Sequence, residues 1–174
     1  LYGLALAHKK NNNFDEGLAS LDKLLEKYPK NLVLNTTKVE FLSYFNKFND
    51  ALDLANKFLE ISPKNYPLSI SKSQILLNMG RYFESEEIIR DQLLRKNDSP
   101  DLWFMLSETQ KTSQNIVGYH QSRAEYFLLL GQDEKALNQL EFALQLTQNN
   151  FQVSDRIMTK IIEIKKSLQN SRGL

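Results

Sequence analysis

Apolar residues recur at helical spacing along almost the whole chain, in short blocks parted by polar turns. Leu18, Leu21, Leu25 and Tyr28 fall on one face of a helix that begins at Phe14, and all four read as core. Leu52, Ala55, Phe58 and Leu59 do the same between Phe48 and Ile61. Ile75, Leu76, Ile88, Ile89 and Leu93 mark a further pair, Leu68 to Met79 and Tyr82 to Lys96. Ala136, Leu140, Ala143 and Leu144 share a face between Asp133 and Leu146. The last helix opens at Asn149-Asn150-Phe151, packs through Ile157, Ile161, Ile164 and Leu168, and turns Lys160, Glu163, Lys165 and Lys166 to water. Leu1 to Lys10 (with Leu4 and Ala5 packing), Leu32 to Phe45, Pro100 to about Lys111 and Ile116 to Leu130 bring the total to about ten helices. Pro63 and Pro67 bracket a turn, and Asn97-Asp98-Ser99-Pro100 reads as a cap with proline at the first helical place.

The blocks repeat. Leu25, Glu26, Pro29, Lys30 and Asn31 return as Leu59, Glu60, Pro63, Lys64 and Asn65, a period of 34 residues. Such a unit holds two amphipathic helices, neither of which can bury its apolar face alone, so the units must stack. Second helices open on Phe14-Asp15-Glu16, Phe48-Asn49-Asp50 and Tyr82-Phe83-Glu84, and acid in a first turn suits the positive end of the helix dipole. Small residues follow at Gly17, Ala51 and Ser85, where neighbouring helices can approach closely. Gly17 lies inside a helix, so Gly17→Ala is expected to stabilise by up to ~1 kcal/mol. Asn12, Asn46, Gly80 and Gln114 occupy the turns at the same interval, whereas Gly131 comes only 17 residues after Gln114. Ile116 to Leu130 therefore serves as the second helix of one pair and the first of the next.

This pattern resembles the tetratricopeptide repeat: a large residue near the start, small residues at set places, and proline closing the unit. The fold expected is an all-α tetratricopeptide-repeat solenoid with a half-register shift near the C-terminus, read as one domain over residues 1–174. Trp103, Leu106 and Ser107 stand at the large, leucine and small positions, which makes the lone tryptophan a packing residue.

Composition removes several alternatives. The net charge is +1 and the 25% of charged residues mix both signs, so no basic surface points to nucleic acid. No apolar run is long enough to span a membrane. Cysteine is absent, which excludes disulfides and thiolate metal sites. The two histidines, His8 and His120, lie in different repeats and have no His-Glu-x-x-His spacing; there is no phosphate loop or nucleophile elbow. The chain is expected to be no enzyme by itself and to need no cofactor. It also begins inside an apparent helix, Tyr2 to Ala7, without a cap, and so reads as excised from a longer parent.

What a solenoid offers is a face lined by the first helix of each pair. In register, that face carries Tyr2, Lys9 and Lys10, then Thr36, Glu40 and Tyr44, then Ile70, Gln74 and Asn78, then Phe104 and Glu108. This mixture suits an extended or partly folded polypeptide. Tetratricopeptide modules that clamp a chaperone's carboxyl terminus use lysine and asparagine where this chain has Tyr2 and Leu6, so that clamp is missing.

The final third carries a narrower likeness. His120 to Phe127, then Gly131, Ala136, Gln139-Leu140, Ala143-Leu144, Asn150-Phe151 and Arg156-Ile157, together with the opening Tyr2 to Ala7, resemble the C-terminal repeat region of the beta-barrel assembly-enhancing proteases. Those are periplasmic zinc metallopeptidases whose repeats contact outer-membrane barrel proteins and the barrel-assembly machinery. The resemblance implies a periplasmic module that recruits such partners to its own upstream protease domain. Zinc is implied for that domain only, and no catalytic or metal residue carries over to this chain. The other reading is a free-standing tetratricopeptide scaffold or co-chaperone that binds an extended peptide with no protease attached.

Overall fold

The computed structural model describes residues 1–147 and 150–172; Asn149, expected to help open the last helix, lies outside them. The described residues form ten α-helices and no strand: α1 (Tyr2–Lys10), α2 (Phe14–Lys27), α3 (Leu32–Tyr44), α4 (Phe48–Ile61), α5 (Tyr66–Asn78), α6 (Tyr82–Leu93), α7 (Pro100–Thr112), α8 (Ile116–Leu129), α9 (Asp133–Leu146) and α10 (Phe151–Arg172). They divide into two compact units, Leu1–Ile88 and Ile89–Leu174.

The repeating turn is one hydrogen-bonded device used five times. Asn12, Asn46, Gly80, Gln114 and Gly131 all have positive φ, between 58° and 76°. In each case the following residue donates its N–H to the carbonyl five positions back, as in Asn13 to His8 at 2.9 Å and Asn115 to Gln110 at 2.8 Å. The positive-φ residue itself donates to the carbonyl three positions back, as in Gln114 to Lys111 at 3.1 Å. This is the Schellman closure, which satisfies carbonyls the helix end leaves unpaired. Asparagine and glycine tolerate the left-handed conformation; a glutamine there is strained.

The other ends are set by asparagine. Asn31 and Asn65 accept from the N–H groups of Leu34 and Leu68, both at 3.0 Å. The Asn65 cap starts α5 at Tyr66, so Pro67 sits in its first turn, where a missing N–H costs nothing, instead of bracketing a loop. In α6 the helix stops at Leu93, three residues short of the expected Lys96. Ser99 does hold the cap position of α7, ahead of Pro100, but its hydroxyl makes no capping bond.

In the first unit one cluster joins Val39, Leu42, Ala51, Leu52, Ala55, Phe58, Leu68, Ile75 and Leu76, and another joins Ala5, Leu21 and Phe41. Phe41 is wedged between Phe14 and Phe45, with centroids 5.9 and 4.9 Å away. A methyl group at Gly17 would stand 2.4 Å from the tip of the Phe41 ring, so the expectation that Gly17→Ala stabilises is reversed. Ser85, at the same place in the third pair, is buried and donates to the Ser73 carbonyl at 2.8 Å. Two residues placed in the core lie outside it: Leu4 is exposed on the terminal helix, and Tyr28 is exposed at the end of α2, under Lys27.

In the second unit α8 packs against both α7 and α9, as the half-period step requires. Ala124, Ala136, Leu140, Ala143, Ile157, Ile161 and Ile164 form the core there. Trp103 is half-buried, with its indole N–H on the Asn97 carbonyl at 2.8 Å. Lys160 departs from its expected place in water: it is half-buried and paired with Glu125 of α8.

Candidate functional site

In the first unit the first helices of successive pairs meet through polar side chains. Tyr2 on α1 lies 3.2 Å from the Thr37 hydroxyl on α3. The Lys9 ammonium stands over the Tyr44 ring, 5.0 Å from its centroid. On the next step, the Ser71 hydroxyl of α5 donates to Glu40 at 3.4 Å, and Gln74 donates to Asn78 at 3.2 Å. Tyr2, Lys10, Glu40, Tyr44, Gln74 and Asn78 are exposed; Lys9 and Ile70 are half-buried. Thr36 is a correction: it is 9% exposed, turned into the helix packing, and Thr37 takes its place at the surface. The face so formed has aromatic rings at Tyr2 and Tyr44, cations at Lys9 and Lys10, an acid at Glu40 and two amides.

Phe104 and Glu108 belong to the second unit and lie one turn apart on α7, with Phe104 40% exposed. Beside them is a residue left out of the sequence-based face. The Arg123 guanidinium on α8 lies among three rings, 4.9 Å from Phe104, 5.1 Å from Tyr126 and 5.2 Å from Phe127. Its Nη1 is buried without a hydrogen-bond partner, and the nearest carboxylate oxygen, Glu108 Oε1, is 4.0 Å away. An unpaired buried donor costs ~1–3 kcal/mol, and ring contacts return ~0.5–2 kcal/mol of that for a cation. The signal for Arg123 was in the sequence: the 17-residue step to Gly131 makes α8 a first helix too, so its residues belong to the same consideration as those of α7.

The histidines do different work. His120 Nδ1 is 2.8 Å from Gln139 Oε1, between the Tyr119 and Phe142 rings, while His8 is half-buried beside Gly17. No three His, Asp or Glu side chains group to hold a metal ion among the described residues. The surface ion pair of Arg81 with Glu84, with contacts at 2.6 and 2.7 Å, holds the Glu84 carboxyl below its usual range through those hydrogen bonds.

No family model and no curated protein matches the chain. Among solved structures it is similar to MamA from Desulfovibrio magneticus RS-1, at 12% identity over 95% of this chain and 93% of that one, with a TM-score of 0.64. It is also similar to a thermophilic TPR protein of Thermus thermophilus, at 13% identity over 92% of this chain and 97% of that one, TM-score 0.53. A structure of Naa15/Naa10 bound to HypK-THB matches 97% of this chain with 34% of its own, at 19% identity and TM-score 0.56. Likeness at these identities establishes fold. The fold is the all-α tetratricopeptide-repeat solenoid.

Proposed function

We propose that this chain is a non-catalytic protein-interaction module whose first-helix face takes an extended or partly folded polypeptide. The observation that carries the reading is the contact chain across α1, α3 and α5, in which the half-buried Lys9 rests on the exposed Tyr44 ring and the half-buried Ser71 donates to the exposed Glu40. Those contacts order long side chains before any partner arrives, and preorganised rings and charges lose less entropy on binding. The face also mixes donors, acceptors and aromatic area, which an unfolded chain can use in many registers.

The partner is read from the resemblance of His120 to Phe127, Gly131 and the positions after it. On that reading the module binds outer-membrane barrel proteins and their assembly machinery in the periplasm and presents them to its own upstream zinc protease domain, for assembly and quality control. A photo-crosslinking phenylalanine at Tyr44, used in cell envelopes, tests both levels. Crosslinks to barrel proteins or their assembly machinery are expected. Crosslinks confined to cytosolic chaperones would overturn the protease reading in favour of a free-standing co-chaperone, and none above background would overturn the interaction face itself.

A further inference from the structure

The last helix, α10, carries two apolar stripes, and only one of them is covered. Ile157, Ile161 and Ile164 are buried in the core of the second unit. Phe151, Met158 and Ile162 are exposed. At about 100° of turn per residue these three fall within about 40° of one another, roughly a third of a turn from the buried stripe. A second apolar stripe of this kind is a surface on which a further helix can pack.

The charges beside the stripe say which helix. Lys160 and Lys165 are already paired inside the chain, with Glu125 and Glu141. Asp155 and Lys166 are exposed and form no ion pair among the described residues. Both lie on one flank of the open stripe, about 16 Å apart along the helix axis. We infer that α10 docks on α10 of a second copy, antiparallel, about a two-fold axis at the level of Lys160. In that register Met158 packs on the partner's Ile162, and Ile162 on the partner's Met158. Asp155 of each copy lies level with Lys166 of the other, on the same side of the seam, so two ion pairs close together. A parallel pair would set Asp155 against Asp155 and Lys166 against Lys166, and like charges there repel. An anionic lipid surface fits less well, because it would meet Asp155 and Glu163 along with the lysines. The contact uses the same patch on both copies, so it closes at two. One helix pair is small for a protein interface, and a dissociation constant of about 10–100 μM is expected. The surface lies wholly in the second unit and goes beyond the interaction face of α1, α3 and α5, so either reading can fail alone.

The test is sedimentation equilibrium of the full chain from about 5 to about 500 μM, a range that spans the expected constant. Wild type is expected to pass from monomer to dimer. Asp155→Lys and Lys166→Asp each turn both ion pairs into repulsions and are expected to weaken the dimer about tenfold. The two combined restore both pairs with the signs exchanged and should bring the constant back to within about threefold of wild type. Ile162→Glu, at an exposed position where folding is not at stake, should remove the dimer with helicity by circular dichroism unchanged. A chain that stays monomeric throughout would overturn the inference and leave the stripe to a different partner. A dimer indifferent to Ile162→Glu, or a combined charge variant no stronger than the single ones, would overturn it as well.

Discussion

Replacing Gly17 by alanine sets two opposed effects against each other, and the structure decides between them. Alanine gains up to ~1 kcal/mol of helix propensity over glycine in a helix interior. The new methyl would, however, sit 2.4 Å from Phe41 Cζ and 2.7 Å from Cε2, with His8 Cβ at 3.2 Å. Carbon atoms in ordinary contact are ~3.5–4.0 Å apart, so the ring must retreat by about 1 Å or more. It has nowhere to retreat: Phe41 is 1% exposed and boxed by Phe14 and Phe45. Overpacking of this kind costs ~1–3 kcal/mol, and with so short a contact the upper end applies. The net expectation is a loss of about 2 kcal/mol, which lowers the melting temperature by roughly 4–8 °C in a chain of this size. Thermal and urea unfolding followed by circular dichroism measure it. The decisive arm is Gly17→Ala combined with Phe41→Leu: removing the ring tip should make the double variant less destabilised than the two single losses added, by ~0.5–3 kcal/mol. An unchanged or raised melting temperature in Gly17→Ala, or strict additivity in the double variant, would refute the reasoning.

Three further outcomes are expected. Gln114→Gly should raise stability by ~1 kcal/mol, because glutamine there holds φ at 61°, while Gly131→Ala, at φ 68°, should lose a similar amount; urea midpoints of the two variants check both signs. Leu21→Ala should cost ~2–5 kcal/mol, since the side chain is 0% exposed beside Ala5 and Phe41; a loss under 1 kcal/mol would show that the site collapses around the gap. The Glu84 carboxyl should titrate below the usual glutamate range in an NMR pH titration and return toward it in Arg81→Gln. A carboxyl depressed in the folded state adds stability above its unfolded value and loses it as the pH falls through the folded one, and for so exposed a pair that contribution is small.

The repeat was legible because local chemistry and packing ask for the same residues. Asn12, Asn46 and Gly80 stand 34 residues apart since each turn needs a left-handed residue, and the sequence spells that need directly. The half-period step at Gly131 was legible for the same reason. What periodicity could not supply was side-chain reach across helices. Gly17 looks like a weak helix position in the sequence because its obstruction, the Phe41 ring, comes from the following helix. Lys160 looks solvent-facing, yet its long side chain crosses to Glu125. Thr36 and Thr37 are neighbours on α3, and a helical turn separates surface from interior by a single residue there. Arg123 drew no place on the sequence-based face, and its three ring contacts and unpaired nitrogen appear only once α7 and α8 are placed side by side. A helix start is similarly local: Asn65 begins α5 ahead of a proline that reads as a breaker.

The central claim is that the α1–α3–α5 face binds unfolded polypeptide, and the most direct measurement is the affinity of the purified chain for an unfolded outer-membrane barrel protein. Wild type is compared with Lys9→Ala/Tyr44→Ala and with Phe83→Ala, an aromatic that is 83% exposed on a second helix. Removing one cation and one aromatic anchor from the face should weaken binding about tenfold or more, with Phe83→Ala indistinguishable from wild type. Equal affinity in all three proteins, or a loss only in Phe83→Ala, would contradict the claim.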